Sequence, residues 1–452
     1  MADRSDIDRV RDATNLVELI GGYVTLQPKG REHVGLCPFH DDHSPSMAVV
    51  THKAQSFYKC FSCGASGDAF TFLEKYLKMD FREALELLAE RAGITLSRTS
   101  AGPEDAQQRE LRDLVRRAND RAQDFFKKSL ETDPGAEARE MIQARGISDE
   151  MVEAFQIGCA PEGWDNLLRS LPDNAKAHAA FHAAGLLKER SEGNGYYDSF
   201  RNRLIFPISN PAGQIVAFGG RIIDPTDEPK YLNSPETELF QKSRTLYGLH
   251  LARKAIADSG RAIVTEGYTD VIACHQAGHC NVVGTLGTAL TDDHARMLSR
   301  LCDTVVLLFD GDDAGQRAAD RALEVVLKHP VDVKICILPS GTDPADLLGE
   351  DGGKDRFEQV IACSTDVLHY VLQRFEQVLE GQDGLSGRQN MIERFLGELQ
   401  RLGLSSVIGV RRALLLSKLA ELLDLPLPTV EMMLASLDKT PQAPMAEPKQ
   451  DS

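Results

Sequence analysis

Apolar and polar positions change their spacing along the chain, and these changes predict separate structural segments. Residues 4–22 carry apolar side chains at helical spacing and end in a glycine pair. Short strand-like runs and two further helical patterns follow as far as Ala92. We therefore predict a compact N-terminal domain over residues 1–98, followed by a linker of small and turn-forming residues over 99–110.

In the rest of the chain, the pattern of apolar and polar positions predicts first mixed α and β structure, then alternating strands and helices, and finally helices alone. Residues 111–258 open with a charged helix and continue as mixed α and β. Over 259–350 apolar strand-like runs alternate with helical patterns, which predicts a parallel sheet with flanking helices. Residues 351–437 have a helical pattern, and 438–452 have almost no apolar side chains to bury, so we expect a disordered tail there. The predicted fold class is an α/β protein of several domains.

The length and charge of the chain limit the classes of protein to which it can belong. At 452 residues the chain exceeds a single hydrophobic core. Its net charge of −17 argues against a protein that binds a polyanion over most of its surface. Residues 199–223 and 239–257, however, contain basic side chains and no acids, which suits local contact with nucleic acid. The amino terminus is charged and no apolar run reaches the length of a membrane span, which predicts a cytoplasmic protein with no membrane partner.

Four residues in the N-terminal domain have the spacing of a zinc site. A C-x2-H pair and a C-x2-C pair are separated by nineteen residues, and their members are Cys37, His40, Cys60 and Cys63. Three thiolates and one imidazole suit one structural zinc ion with closed tetrahedral coordination. His43 is a competing ligand candidate, and the alternative is that the cysteines are ordinary buried residues. The remaining cysteines stand singly in apolar or helical contexts, as expected in a reducing compartment.

Aromatic and basic residues surround the predicted zinc site. Phe57, Tyr58, Phe61 and Lys53 would lie on or beside a small zinc-bearing sheet, where bases of a single strand can stack. A place in the small core of the domain fits Phe57 and Phe61 equally well. The sequence leaves these two roles open.

Acidic residues follow two apolar runs in the predicted parallel sheet. The run 262–265 ends in Glu266, and the run 305–309 ends in Asp310-Gly311-Asp312. Ligands bind outside the carboxyl ends of strands in an open parallel sheet, so these acids are expected to converge on one hard cation. The predicted cation is Mg²⁺ or Mn²⁺, in a site for phosphate chemistry. The alternatives are a solvated strand-end acid and an ordinary turn.

Several strings of residues resemble a known family. Residues 265–270 and 309–315, with Asp343-Pro344, resemble the Toprim signature shared by primases, topoisomerases and related proteins. The strings 200–208, 217–221 and 229–237 resemble segments that distinguish bacterial DnaG-type primases. Together with the predicted zinc motif, the resemblance extends over nearly the whole chain.

The resemblance implies roles for individual residues. In primases of this type the acids that match Glu266, Asp310 and Asp312 bind the catalytic metals. Asp343 matches another acid of the metal-binding cluster, and Asp270 matches an acid that orients its neighbours. The basic residues that match positions lining the template and nucleotide channel are Arg145, Arg203, Arg221, Lys230 and Lys242.

The resemblance also implies an activity and partners. It implies a DNA-dependent RNA primase that joins ribonucleoside triphosphates on a single-stranded DNA template for replication. The segments then correspond to a zinc ribbon, the N-terminal part of an RNA polymerase domain, a Toprim catalytic subdomain and a helical subdomain. We expect a monomer associated with the bacterial nucleoid. The expected partner is the replicative helicase, and we expect this chain to lack the helicase-docking domain.

Two other classes of function remain open from the sequence. A topoisomerase or Toprim nuclease would need a tyrosine nucleophile in a gate domain, and residues after 350 offer only Tyr370 in a helical setting. A zinc-bearing recombination mediator that only binds DNA would not need the strings around Arg221 and Lys230. The sequence has no G-x-x-x-x-G-K-[ST] motif, so we expect no P-loop helicase within it.

Overall fold

The computed structural model divides the chain into two compact units. The first comprises Met1–Ser259 and Gly278–Leu286, and the second comprises Gly260–Ala277 and Gly287–Ser452. The predicted tail over 438–452 lies outside the described residues. The structure describes residues 4–52, 55–77, 79, 81–94, 96, 103–190, 195–309, 322–325, 327–339, 342–380 and 384–437.

The first unit begins with a small antiparallel sheet and four helices. The strands are β1 (Gln27–Lys29), β2 (Glu32–Gly35), β3 (Met47–Val50), β4 (Phe57–Cys60) and β5 (Ser66–Gly67). They pair in chain order. The helices are Arg4–Ala13, Leu16–Gly21, Ala69–Tyr76 and Phe81–Arg91. Successive side chains of a strand point to opposite faces, so Met47, Val49 and Tyr58 share the face that packs into one core with Phe72.

A second antiparallel sheet and a long helix form the rest of the first unit. The strands are β6 (Gly158–Ala160), β7 (Leu187–Glu189), β8 (Tyr196–Asp198), β9 (Arg203–Ser209), β10 (Ile215–Ile222) and β11 (Tyr231–Asn233). The sheet order is β11-β10-β9-β6, and β7 pairs with β8. Other helices of this part are Ala136–Ala144, Asp149–Ala154, Asn166–Arg169, Ala175–Ala183 and Leu249–Ser259.

The long helix Pro103–Glu131 packs against this sheet through aromatic side chains. The ring of Phe126 lies 5.3 Å from that of Phe218 and 6.4 Å from that of Phe200, measured between centroids. Residues 103–110, which the sequence pattern assigns to a linker, form the first turns of this helix.

The second unit contains the parallel sheet that the alternating pattern predicts. The strands of this region are β12 (Arg261–Thr265), β13 (Val282–Gly284), β14 (Thr304–Phe309), β15 (Asp332–Ile337) and β16 (Thr365–Asp366). β14 pairs in parallel with both β12 and β15, and β16 adds an antiparallel edge. β13 belongs to the first unit, where Gly284 bridges to Tyr247. The helices are Tyr268–Gln276, Asp292–Leu298, Pro344–Gly349 and Gly353–Ala362.

The chain continues with helices, as the apolar spacing after residue 350 predicts. Their bounds are Val367–Glu380, Leu385–Arg401, Gly409–Leu423 and Leu427–Leu437. Leu396, Leu404, Leu419 and Val430 are fully or almost fully buried in one shared core. None of the helices in the described part of the chain is long and apolar enough to cross a membrane.

Candidate functional site

Two turns of the small N-terminal sheet bring the four predicted zinc ligands together. One ligand atom from each of Cys37, His40, Cys60 and Cys63 lies within 4.8 Å of the other three. The sulfur atoms of Cys37 and Cys63 are 3.8 Å apart, and His40 Nδ1 is 4.0 Å from the sulfur of Cys60. Tetrahedral coordination with zinc–sulfur distances of about 2.3 Å places two sulfurs about 3.8 Å apart. The cluster therefore fits one zinc ion held by three sulfurs and His40 Nδ1.

Hydrogen bonds prepare Cys60 to act as a thiolate. Burial acts to raise its pKa, but the Ser46 hydroxyl and the backbone N–H groups of Cys63 and Ser62 hold the pKa of this thiol below its usual range. Both N–H groups donate to the Cys60 sulfur, each at a distance of 3.3 Å. For Cys37 the effect of burial prevails over the hydrogen bond from the Phe39 backbone, and the pKa of this thiol is raised. Because zinc binds the thiolate form, the Cys60 sulfur is the better prepared of these two ligands.

Asp42 supports the cluster without being one of its ligands. Its carboxylate accepts hydrogen bonds from the Ser46 hydroxyl at 2.6 Å and the Cys37 backbone N–H at 2.7 Å, which lower the pKa of Asp42 to about 2. Its other oxygen lies 3.6 Å from Nε2 of His40. A carboxylate beside the free nitrogen of a ligating histidine orients the ring toward the metal. Asp42 is not among the residues predicted from the sequence, although an acid two residues after a predicted histidine ligand is a usable signal.

The competing ligand candidate His43 lies outside the cluster. Its side chain is 88% exposed and faces Asp41, whose side chain is 92% exposed. The four ligands are therefore the ones that the paired spacing predicts.

Replacing Asp42 by asparagine is expected to weaken zinc binding by about 10- to 100-fold, the usual effect of losing a carboxylate that orients a metal ligand. Competition with a chromogenic chelator measures this loss. Asp41→Asn removes a neighbouring carboxylate that is 92% exposed and should leave the affinity unchanged. Equal zinc affinities for the two variants would contradict the role given to Asp42.

The aromatic residues near the cluster separate into core and surface. Tyr58 is fully buried, so the suggestion that it stacks with bases on the surface is wrong. Phe57 is half-buried, whereas Phe61 is 72% exposed and therefore does not belong to the core. Lys53 lies outside the described residues.

Glu266 lies at one edge of the parallel sheet. The strand that leads to Asp310 ends at the same edge. Glu266 is exposed directly after β12, and β14 pairs beside β12 with Val264 opposite Leu307. β14 ends at Phe309. The carboxyl ends of parallel strands lie at the same edge of a sheet, and exposed carboxylates there are the ligand type that Mg²⁺ prefers. Asp310, Gly311 and Asp312 lie outside the described residues, so their predicted metal contacts stay predictions.

Buried polar contacts fix the turn that follows Glu266. Asp270 is 6% exposed, and its carboxylate accepts the Gly267 backbone N–H at 3.1 Å. A side-chain carbon on Gly267 would lie 2.4 Å from that carboxylate oxygen, so this close approach requires glycine. Asp270 therefore holds the backbone beside Glu266, in agreement with the orienting role that the family resemblance implies.

Asp343 begins a helix after β15 of the parallel sheet. It follows β15 and caps Pro344–Gly349, where its carboxylate accepts the Asp346 N–H at 2.7 Å. Asp346 is exposed. The family that the sequence resembles would have Asp-Pro-Asp here, whereas this chain has Asp343-Pro344-Ala345-Asp346. One oxygen of Asp343 is engaged in the helix cap, and its predicted metal contact stays a prediction.

The five predicted channel residues all lie in the first unit, but their surroundings differ. Arg221 is half-buried on β10, where its guanidinium contacts the Tyr231 hydroxyl and lies 5.0 Å from the centre of the Tyr231 ring. Lys230 and Arg145 are exposed. Lys242 is half-buried in the 3₁₀ turn Lys242–Arg244.

Arg203 is the exception, because its side chain is 6% exposed. Its guanidinium donates to the carbonyl oxygens of Pro229 at 2.8 Å and of Gly220 and Glu228 at 3.4 Å. Burial lowers the pKa of Arg203. These contacts hold the segment that leads to Lys230 against the sheet, which favours a positioning role over direct contact with template or nucleotide.

An exposed aromatic stack near the basic segments was not predicted. The guanidinium carbon of Arg201 lies 4.2 Å from the ring centre of Trp164 and 5.5 Å from that of Tyr197. Trp164 is 58% exposed, and it is the single tryptophan of the chain. An exposed ring beside a guanidinium offers a surface on which a base can stack.

Three family models match the chain in succession. They are described as CHC2 zinc finger over residues 2–103, DNA primase catalytic core, N-terminal domain, over residues 125–253, and Toprim-like over residues 263–348. The matches confirm the predicted zinc ribbon and Toprim sheet.

Curated relatives of this chain are described as DNA primases. The DNA primase of Halalkalibacterium halodurans is 41% identical over 82% of this chain and 61% of its own length. That of Legionella pneumophila is 38% identical over 92% of this chain and 70% of its own length. This chain thus spans about three fifths to seven tenths of the length of these two relatives.

Two solved structures resemble this fold. A crystal structure of the zinc-binding and RNA polymerase domains of the Aquifex aeolicus primase has a TM-score of 0.61 and 33% identity, and covers 94% of this chain and 99% of its own. A DnaG primase catalytic domain bound to ssDNA has a TM-score of 0.62 and 34% identity, and covers 70% of this chain and 98% of its own.

Proposed function

The chain belongs to the DNA primase family, and from that premise we propose that it synthesises short RNA primers on single-stranded DNA. The observation that carries the proposal is the position of Glu266. It is exposed at the carboxyl end of β12, beside the parallel strand that leads into Asp310, in a chain that also contains the four-residue zinc cluster. The similar catalytic domain bound to ssDNA supports a single-stranded template.

The reaction we propose is nucleotidyl transfer. The 3′-hydroxyl of one ribonucleotide attacks the α-phosphate of the next, and pyrophosphate leaves. Glu266, with Asp310, Asp312 and Asp343, would hold Mg²⁺ or Mn²⁺, which when bound stabilises the negative charge that develops on the phosphate oxygens. Asp270 fixes the backbone beside Glu266, from which this side chain extends.

The proposed reaction also needs positively charged side chains. Carboxylates alone repel both the triphosphate and the template backbone, so cationic side chains are needed to hold either. We propose that Arg145, Arg221, Lys230 and Lys242 supply this charge. Arg203 would act through the backbone that leads to Lys230.

Arg221→Ala is expected to weaken binding of single-stranded DNA. It should also reduce the salt slope, which is the slope of the logarithm of the binding constant against the logarithm of the salt concentration, by about 0.7, the contribution of one charge on a single strand. Fluorescence anisotropy of a labelled oligonucleotide at several salt concentrations measures both quantities. Arg401→Ala, which removes an arginine that is 66% exposed on the C-terminal helices, is the matched control and should leave the slope unchanged. A slope for Arg221→Ala equal to that of the control would place Arg221 outside the channel.

Arg203→Ala is expected to act on stability. It removes the buried donor to three carbonyl groups, one of them in the buried residue Gly220, which should lower the free energy of unfolding of the first unit by about 1–3 kcal/mol. Urea denaturation followed by circular dichroism measures this change. A lower salt slope at unchanged stability would show instead that the Arg203 guanidinium contacts the nucleic acid.

The other activities considered have less support. A Toprim nuclease would cleave the strand, and a recombination mediator would bind it without making RNA. Incubation of the chain with single-stranded DNA, Mg²⁺ and labelled ribonucleoside triphosphates separates the three, because primer synthesis alone incorporates label and a nuclease alone shortens the DNA.

We also propose that the chain is a monomer in the bacterial cytoplasm, associated with the nucleoid, and that the replicative helicase is one of its partners. Analytical ultracentrifugation, alone and with the helicase, tests the oligomeric state and the association. Tight stoichiometric binding would show that this chain carries a helicase-docking surface.

A further inference from the structure

Two cysteines of the second unit, distant in the sequence, meet at one edge of the parallel sheet. Cys336 lies on β15 and is 2% exposed. Cys363 is exposed and directly follows the helix Gly353–Ala362. Because β16 pairs with β15 just beyond Cys363, the chain returns to the strand that carries Cys336. The fold therefore brings together one buried and one exposed thiol.

The carbonyl oxygen of Val360 shows how near the two cysteines are. The Cys336 thiol donates to this oxygen with a sulfur–oxygen distance of 3.4 Å. The backbone N–H of Cys363 donates to the same oxygen with a nitrogen–oxygen distance of 3.2 Å. Since both groups contact one atom, the Cys336 sulfur lies beside the backbone of Cys363. Burial, and after it the negative charge of the Cys363 thiolate, raises the pKa of Cys336 to about 12.

Strand pairing holds the backbone on both sides of this contact. Ile335 is the antiparallel partner of Thr365, so Cys336 is one residue and Cys363 two residues away from a paired position. Antiparallel partners have Cα atoms about 4.5–5.5 Å apart, and disulfides join residues whose Cα atoms are about 4.4–6.8 Å apart. The two cysteines therefore lie close to the separation at which disulfides form.

We propose that Cys336 and Cys363 form a reversible disulfide when the chain meets a small disulfide of the glutathione type. The exposed Cys363 reacts first: its thiolate attacks one sulfur of the small disulfide, forms a mixed disulfide and releases one small thiol. Cys336, after giving up its proton, attacks the Cys363 sulfur and displaces the second small molecule, which takes up a proton as a thiol. Two protein thiols are thereby oxidised to one disulfide, and the small disulfide is reduced to two thiols.

The pair has the arrangement of a redox-responsive site. Such sites combine a solvent-accessible cysteine that reacts first with a neighbouring cysteine that resolves the mixed disulfide. In a reducing compartment a disulfide of this kind is transient. It would close the segment from Cys336 to Cys363, which contains Asp343, and a closed segment has less freedom in the unfolded chain. The oxidised chain should therefore unfold at a higher urea concentration than the reduced chain. This inference does not depend on the proposed primase function.

Peptide mapping of the folded, zinc-loaded chain tests the proposal. The chain is incubated with oxidised glutathione, remaining thiols are alkylated, and a tryptic digest is analysed by mass spectrometry without reduction. Trypsin cleaves after Lys354 and Arg356, which lie between the two cysteines, so they leave in separate peptides unless a disulfide joins them. The joined peptide should become the main form and disappear with dithiothreitol. Zinc content measured in parallel shows whether the zinc cysteines stay unoxidised.

Three variants separate the two steps of the reaction. Cys336→Ser lacks the resolving thiol and should accumulate glutathione on Cys363, whereas Cys363→Ser should leave the buried Cys336 reduced. Cys280→Ser removes an exposed cysteine of the first unit and should form as much joined peptide as the wild type. Circular dichroism checks that each variant is folded.

Two results would overturn the proposal. One is a wild-type chain in which Cys363 carries glutathione while Cys336 stays reduced. The other is a joined peptide that forms only after the chain has been unfolded in urea. Both results come from the wild-type chain, so they do not depend on the folding of any variant, and neither bears on primer synthesis.

Discussion

Replacing Glu266 by glutamine is expected to lower primer synthesis by at least about a hundredfold. Loss of a residue that only orients a metal ligand costs 10- to 100-fold, and loss of a ligand costs more. Glutamine keeps the shape of the side chain but removes the negative charge that a hard divalent cation requires. Incorporation of labelled ribonucleotides on single-stranded DNA measures the loss.

Binding of the template should survive this change, because Glu266 is an acid and contributes no cationic contact. Glu324→Gln is the matched control, since this carboxylate is 43% exposed in the same unit and pairs with Lys328 over 2.6 Å. The control should retain normal synthesis. Near-normal synthesis by Glu266→Gln at ordinary magnesium concentration would refute the assignment of Glu266.

Cys60→Ser is expected to release the zinc and to unfold the small sheet with its helices, residues 4–94. Binding of a structural zinc ion supplies on the order of 10–16 kcal/mol in small domains, so loss of one ligand removes much of what holds such a domain together. The Cys60 sulfur accepts two backbone N–H groups of its turn and contacts Ser46, so these contacts also weaken. Primer synthesis should persist only weakly.

Metal analysis and limited proteolysis measure the two effects of Cys60→Ser separately. The variant should contain less than one equivalent of zinc and be cleaved early within 4–94, while later residues stay protected. Cys280→Ser is the control, because Cys280 is an exposed free cysteine outside the cluster and its replacement should keep the metal. One full equivalent of zinc retained by Cys60→Ser would contradict the ligand set.

The residues that the sequence revealed are those whose spacing alone defines a site. The pairs Cys37 with His40 and Cys60 with Cys63 need only two turns to meet. The position of Glu266 follows from the end of its strand, because parallel strands bring their carboxyl ends to one edge. In both cases local pattern and chain topology suffice.

The residues that the sequence did not reveal depend on contacts between distant segments. Arg203 is buried because carbonyl groups of Gly220, Glu228 and Pro229 surround its guanidinium, and no periodicity encodes that pairing. The contrast between Tyr58 and Phe61 depends on which face of the sheet the helices cover. These choices are made by tertiary packing.

The measurement that tests the central claim most directly is synthesis of RNA by the wild-type chain. Single-stranded DNA, Mg²⁺ and labelled ribonucleoside triphosphates should yield short RNA that is complementary to the template and requires the metal, and Glu266→Gln should yield none. Cleavage of the DNA without incorporation, or binding of DNA with no RNA product, would contradict the assignment of the chain as a primase.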